Sequence, residues 1–138
     1  MTVSLDHWTR TLKFDVKLAP LTMEDREVTA NFYSPQIDNN STFYTDSNGL
    51  KMQKRVFKGG AKSFYPVTSA IAIRDTHKKF QMTVMNSHTQ AGSATKKGRI
   101  ELLQQRVSKT DDHKGLGEAL YDVDFQGIEI PINASYQV

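Results

Sequence analysis

The chain has 138 residues, of which 38% are hydrophobic, and its mean hydropathy is -0.53. This length predicts one domain with a buried core, and no run approaches the roughly 18 apolar residues of a membrane span. The absence of cysteine excludes disulfides, thiolate metal sites and thiol nucleophiles. The net charge of +3 comes from cations spread along the chain, which argues against a nucleic-acid interface.

Alternation of apolar and polar residues with a period of two dominates the sequence and predicts half-buried strands. In chain order, the alternating apolar residues are Leu12, Phe14, Val16 and Leu18, then Val28, Ala30 and Phe32, then Leu50, Met52 and Val56, then Phe80, Met82 and Val84, and finally Ile128, Ile130 and Ile132. Because Pro131 has no backbone N–H to donate, the last of these strands is predicted at a sheet edge.

A β-hairpin is predicted between residues 42–45 and 50–56, because the intervening Ser47-Asn48-Gly49 suits a turn with positive φ. Residues 99–107 fit either a helix or a strand. About eight short strands separated by turns favour an all-β fold, an antiparallel β-sandwich. We expect residues 1–138 to form a single domain of this kind.

The sequence offers few groups for chemistry. Asp111-Asp112 is the obvious carboxyl pair for a glycosidase, but neighbours on a strand point to opposite faces. The pair opens the loop 111–117, where Asp side chains typically accept backbone N–H groups, so we interpret it as structural. No metal site is predicted, because the histidines are scattered. They are His7, His77, His88 and His113.

Other single features have ordinary structural interpretations. Trp8 could stack on a sugar, but a lone tryptophan near a terminus is more often a core or inter-domain contact. The basic pairs Lys78-Lys79 and Lys96-Lys97 fall where turns are expected and are interpreted as solvated loops. From the residues alone, the prediction is a β-sandwich without a recognisable active site.

Three asparagine sequons begin at Asn39, Asn40 and Asn133 and are glycosylation candidates. They favour a secretory route weakly, since such short patterns often arise by chance. The first residues lack the basic segment and apolar run of a signal peptide, so no targeting signal is predicted in this chain.

Four blocks carry a family resemblance. Residues 43–49, Phe-Tyr-Thr-Asp-Ser-Asn-Gly, match a Phe-Tyr-Thr-Asp-x-Asn-Gly signature, and residues 64–67 read Phe-Tyr-Pro-Val before a strand that ends in Asp75. Further blocks lie at residues 90–102 and 105–118. Together they resemble the C-terminal half of class II α-mannosidases, glycoside hydrolase family 38, over residues 12–120. The branch they resemble most is the lysosomal and vacuolar one.

The resemblance implies a function for a longer protein. Members of the family are retaining, zinc-dependent enzymes that trim α-linked mannose from N-glycans. Their zinc ligands and nucleophile lie in an N-terminal barrel, so the resemblance implies no cofactor in this chain and zinc in the parent's catalytic barrel. The β-domains that resemble this chain pack on that barrel and complete its sugar pocket.

The resemblance also implies site residues. By analogy Arg106, Asp111 and Asp112 form part of the pocket wall. Departures from the family are Val107, where a second arginine is usual, and Lys114, where an arginine is usual. The signature residues are interpreted as structural parts of the hairpin; they are Tyr44, Asp46, Asn48 and Gly49.

The expected partners are the catalytic barrel, neighbouring β-domains and a mannosyl glycan, with no nucleic acid and no membrane. Because a surface that forms permanent contacts is apolar, the isolated chain is predicted to self-associate. The implied location of the parent is the secretory pathway, in the lysosome or vacuole. Two alternatives stay open. One is an independent catalyst; the other is a free-standing carbohydrate-binding or adhesion module, which needs an aromatic platform from Tyr33, Tyr44, Phe64 and Tyr65.

Overall fold

The computed structural model describes residues 1–21, 26–108, 110–111, 113, 115, 117 and 131–138. Within these residues the chain forms eleven strands and one short 3-10 helix. In chain order the elements are β1 (Thr2–Asp6), β2 (Thr11–Leu18), β3 (Arg26–Tyr33), β4 (Thr42–Ser47), β5 (Lys51–Val56), the 3-10 helix (Ala61–Ser63), β6 (Tyr65–Val67), β7 (Ala70–Asp75), β8 (Phe80–Asn86), β9 (Gln90–Lys96), β10 (Arg99–Val107) and β11 (Ile132–Gln137).

The strands form two sheets. One has seven strands in the order β1-β2-β11-β8-β7-β4-β5, and the other has four in the order β3-β10-β9-β6. The pairings are antiparallel, for example β4 with β7 and β10 with β3. The all-β antiparallel prediction is therefore confirmed, and the architecture is consistent with a β-sandwich. Within the described residues, no helix has the length and apolar character needed to cross a membrane.

The core lies between the two sheets. Its fully buried side chains come from alternate positions of facing strands. This pattern arises when each sheet has one face in solvent and the other packed against its neighbour. The main contributors are Phe43, Ile71, Ile73 and Val84 from the larger sheet and Val67, Ala94, Ile100 and Leu102 from the smaller one. Phe14 and Phe32 continue this layer, with ring centroids 5.5 Å apart.

Several sequence predictions are confirmed. β4 and β5 form the predicted hairpin, and residues 99–107 form a strand rather than a helix. Asn48 and Gly49 have φ values of 50° and 72°, and Leu50 N donates to Ser47 O at 3.0 Å. The loop between the strands is residues 48–50, and positive φ at both central residues of the turn 47–50 suits the twist of a hairpin.

The interpretation of β5 as a strand with an inward apolar face was wrong. Its register pairs Met52 with Asp46 and Val56 with Thr42, which places both apolar side chains on the outer face, 43% and 42% exposed. Arg55 points inward instead and lies 4.3 Å from the Tyr65 ring centroid. This reversal is possible because β5 is an edge strand that the smaller sheet does not fully cover.

Trp8 is 93% exposed in the β1–β2 turn, so the core contact predicted for it is wrong, and the inter-domain contact stays a prediction. The strand predicted over residues 128–132 falls mostly outside the described residues, so its edge position also stays a prediction. β11 begins after Pro131 and lies between β2 and β8. Ile128 and Ile130 lie outside the described residues. Sequence alternation also underestimated the number of strands, since β1 and the three-residue β6 were not recognised.

Candidate substrate-facing site

The signature residue Asp46 connects the hairpin to the chain before β7. Its side chain is only 5% exposed. Oδ1 accepts the backbone N–H groups of Thr68, Ser69 and Ala70 at 2.8, 3.0 and 3.1 Å, and Oδ2 accepts that of Gly49 at 2.8 Å. Four backbone donors at one carboxylate hold the β6–β7 turn against the β4–β5 turn.

Burial raises the pKa of Asp46, but the four backbone N–H groups that it accepts outweigh burial and lower the pKa below its ordinary value. The carboxylate therefore stays ionised at neutral pH. A carboxylate held in this way is neither a general acid nor a free ligand. Its arrangement fits the structural interpretation of the signature.

Tyr44 is the signature residue that reaches a surface. It is half-buried on the outer face of the larger sheet, and its hydroxyl accepts a hydrogen bond from Arg74 Nη2 at 3.1 Å. The Arg74 guanidinium also lies 4.8 Å from the Tyr44 ring centroid. Tyr44 is thus held in one orientation on the face that points away from the core.

The residues predicted for a pocket wall lie at and beyond the end of β10. Arg106 is exposed, and its Nε lies 3.2 Å from Glu27 Oε1 on the neighbouring β3. The Asp111 side chain is 20% exposed and pairs with His113 Nδ1 at 3.2 Å. Asp112 and Lys114 lie outside the described residues. A guanidinium and a carboxylate are therefore presented close together in sequence at this end of the smaller sheet.

Val107 explains one departure from the family. It is buried, so position 107 points into the sandwich while position 106 points out. An arginine at position 107 would have to bury its charge or turn the strand end. The single outward guanidinium at Arg106 is the one that can contact a neighbouring surface.

A buried polar cluster joins three strands and was missed by the sequence reasoning. The Tyr136 hydroxyl donates to Gln90 Oε1 at 3.0 Å and accepts from Gln104 Nε2. Burial raises the pKa of Tyr136, which keeps the hydroxyl protonated. Gln104 faces inward where a β-bulge shifts the β10 register between Leu103 and Gln105. Gln104 continues the inward-facing set of Ile100 and Leu102, but it is polar, so the alternation of apolar residues gave no signal for it.

An apolar groove opens where β1 and β2 diverge from β3. We define the apolar groove by Leu12, Phe14 and Val16 of β2 and Val28, Ala30 and Phe32 of β3, and its volume is about 550 Å³. Val3 and Leu5 of β1 pair with Phe14 and Leu12 and extend the same face, with Leu5 67% exposed. The alternation predicted the groove residues of β2 and β3 to face inward, and they do. No described element covers this end of the sandwich.

The glycosylation candidates differ in their surroundings. Asn39 is 3% exposed; its Nδ2 donates to Thr42 O and its Oδ1 accepts Gly98 N–H at 2.9 Å. A glycan on Nδ2 has no space at this buried position unless the contact with Thr42 O is displaced, so this position does not fit an acceptor. Asn40 and Asn133 are exposed and stay candidates.

Metal ligation finds no support in the part of the chain that the structure describes. No three His, Asp or Glu side chains there form a group that could hold an ion. Zinc binding in proteins uses three or four such ligands. These residues therefore do not fit a zinc site.

Comparisons with known proteins identify relatives of this chain. The family described as "Glycosyl hydrolases family 38 C-terminal domain" matches residues 1–114. The lysosomal alpha-mannosidases of Cavia porcellus and Homo sapiens are 32% and 30% identical over 82% of the chain, and alpha-mannosidase 2 of Spodoptera frugiperda is 35% identical over 58%. The chain spans only 7 to 12% of the length of these relatives.

Proposed function

Because the chain belongs to the family of glycosyl hydrolase family 38 C-terminal domains, we propose that it is the non-catalytic C-terminal β-domain of a longer retaining α-mannosidase. The family match carries this proposal. The chain's relatives are α-mannosidases, and it corresponds to a small part of each. In the longer enzyme, the substrate is α-linked mannose on N-glycans, and zinc is held by the catalytic barrel.

The domain packs on the catalytic barrel and on neighbouring β-domains and completes the sugar pocket. Arg106 supports the pocket role, because it presents an exposed guanidinium at the end of β10, while Asp111 beyond it is partly buried and paired with His113. The apolar groove supports the packing role. Burial of exposed apolar area contributes roughly 25 cal/mol per Å², so a permanent neighbour would stabilise this end of the sandwich.

The names of two relatives support a lysosomal location for the longer enzyme, and Asn40 and Asn133 are available for the glycans that a secretory route adds. The alternative, a free-standing carbohydrate-binding module, lacks a platform. Tyr33 lies on β3 and Tyr65 on β6, which are opposite edges of the smaller sheet, and Tyr44 lies on the outer face of the other sheet. These three rings do not share one surface, and Phe64, the fourth residue of the predicted platform, is partly buried directly before β6.

The purified chain is expected to hydrolyse no aryl α-mannoside and to retain no stoichiometric zinc between mildly acidic and neutral pH. The reason is that the described residues bring together no group of His, Asp and Glu side chains that could hold zinc. The measurement is metal analysis by mass spectrometry together with release of the aryl group. Bound zinc with turnover would overturn the proposal.

The longer enzyme provides the test of the pocket wall. There, Arg106→Gln is expected to lower kcat/KM about 10-fold, the usual effect of losing one charge-assisted contact. Arg10→Gln is the control, since Arg10 is an exposed arginine in the β1–β2 turn of the other sheet. Equal kcat/KM for the wild type and both variants would remove Arg106 from the pocket.

The isolated chain is expected to self-associate through the apolar groove, because its intended neighbour is missing. Leu5→Ser should shift the sedimentation profile towards monomer. Leu50→Ser is the control: Leu50 is 88% exposed in the β4–β5 turn, away from the groove. A wild-type chain that stays monomeric at high concentration would contradict this prediction.

A further inference from the structure

The two basic turns that the sequence presents as separate solvated loops border one cavity. Lys78 lies in the β7–β8 turn and Lys97 in the β9–β10 turn. With the segment before β4 and the outer face of β4, β5 and β7 they enclose a cavity of about 560 Å³. We call this cavity the outer groove and define it by Asp38, Tyr44, Lys54, Arg74, Lys78 and Lys97.

The outer groove holds an excess of positive charge. Its carboxylates are already engaged: Asp75 is 2% exposed and accepts the backbone N–H groups of Asp38, His77 and Lys78, while Asp38 Oδ2 lies 2.7 Å from Lys97 Nζ. By contrast, neither Lys54 nor Arg74 has a carboxylate oxygen of any described residue within 4.0 Å. Among the described residues, these two cations line one concave surface without an anionic partner.

The register places these two cations on either side of one aromatic ring. Tyr44 pairs with Lys54 on β5 and with Ala72 on β7, and Arg74 follows Ala72 by two residues, so all of them share the outer face. The contacts of Arg74 with the Tyr44 ring and hydroxyl fix the guanidinium before any ligand arrives. Only one of its five N–H donors is used in this way, so the others remain for a ligand.

We propose that the outer groove binds a single oxyanion, a phosphate or sulfate group, between Arg74 and Lys54. A tetrahedral oxyanion presents several acceptor oxygens, and one face can meet the planar guanidinium while another oxygen meets the ammonium. Lys78 and Lys97 at the rim are paired with Asp75 and Asp38, so the net positive charge that attracts the anion is that of Arg74 and Lys54. The group arrives either as the free anion or as an ester on a sugar, since the groove volume exceeds that of one anion.

The test is a titration of the chain with inorganic phosphate at constant ionic strength, followed by amide chemical shifts. Saturable shifts are expected in β4, β5 and β7. Lys54→Gln should weaken binding about 10-fold, whereas Lys51→Gln should leave it unchanged. Both variants remove one exposed lysine of β5 and have the same net charge, but only Lys54 lines the groove. Identical circular dichroism spectra would show that both fold.

Arg74→Gln should abolish saturation, because it removes the ordered guanidinium. Titration with a hexose phosphate and with the unphosphorylated hexose separates the two sources of the anion. Tighter binding of the hexose phosphate than of phosphate supports an oxyanion carried on a sugar, and equal affinity supports the free anion. Shifts that do not saturate, or equal weakening by Lys51→Gln and Lys54→Gln, would overturn the proposal, since either outcome indicates general charge screening.

Discussion

Replacement of Asp46 by alanine is expected to lower the free energy of unfolding by about 4 kcal/mol. A hydrogen bond to a charged group contributes about 1.5–3 kcal/mol, and four bonds to one carboxylate are not independent, so the total is smaller than their sum. Alanine leaves the N–H groups of Thr68, Ser69 and Ala70 without their acceptor in a partly buried turn. Urea denaturation followed by circular dichroism measures the change. A loss below about 1 kcal/mol would contradict the role assigned to this side chain.

Asp46→Asn separates charge from shape. The amide keeps one oxygen for the three N–H groups before β7 but turns its own NH2 towards the N–H of Gly49, so we expect a loss of about 2 kcal/mol. Asp6→Asn is the matched control. Asp6 accepts the backbone N–H groups of Trp8 and Thr9 at 2.8 and 3.1 Å in a similar turn, but it is exposed, so its replacement should change stability little.

The same carboxylate predicts a pH dependence. Because the pKa of Asp46 is lowered in the folded state, its contribution is present above the unfolded pKa of about 3.9 and is lost as pH falls through the folded pKa. The stability difference between the wild type and Asp46→Asn should therefore be largest near neutral pH and shrink in acid. An equal stability difference at neutral and at acid pH would mean that the charge of Asp46 does not contribute to stability.

How far the sequence predicts this fold depends on whether a strand is central or at an edge. The alternation of Phe14 and Val16 predicted their inward face, because central and facing strands bury one side. The same pattern failed for Met52 and Val56. On an edge strand the polar residues can face inward instead, when an inward arginine, here Arg55, finds partners such as Thr45 Oγ1. Alternation shows that a segment has the two-residue period of a strand, but it does not show which of the two sets of alternate residues is buried.

The candidate sites show a similar division. The signature predicted that Asp46 matters and that Asn48-Gly49 forms a turn, since both are local. It could not predict the partners of Asp46, which lie 22 to 24 residues away. The outer groove was also unpredictable, because Lys78 and Lys97 belong to turns of different sheets and meet only through the packing of those sheets.

Gly98→Ala is expected to destabilise the domain by about 4 kcal/mol, because two penalties coincide there. Gly98 has a φ of 67°, which costs a residue with a Cβ about 1–2 kcal/mol, and the added Cβ would lie 2.2 Å from Ser34 O. A backbone oxygen cannot rotate away as a side chain can, so the β9–β10 turn and the segment before β4 would have to separate, at a further cost of about 1–3 kcal/mol. Chemical denaturation measures the loss.

Gly49→Ala distinguishes the two penalties. Gly49 lies in the three-residue loop 48–50 between β4 and β5, also with a positive φ of 72°, but no atom beyond its chain neighbours lies within 4 Å of its added Cβ. We expect a loss of about 1 kcal/mol there, from backbone strain alone. Gly98 also donates to Asn39 Oδ1, and its displacement would move Lys97 away from Asp38. Gly98→Ala should therefore weaken phosphate binding in the outer groove as well, and Gly49→Ala should not. Equal losses of stability in the two variants would show that the contact with Ser34 O relaxes without cost.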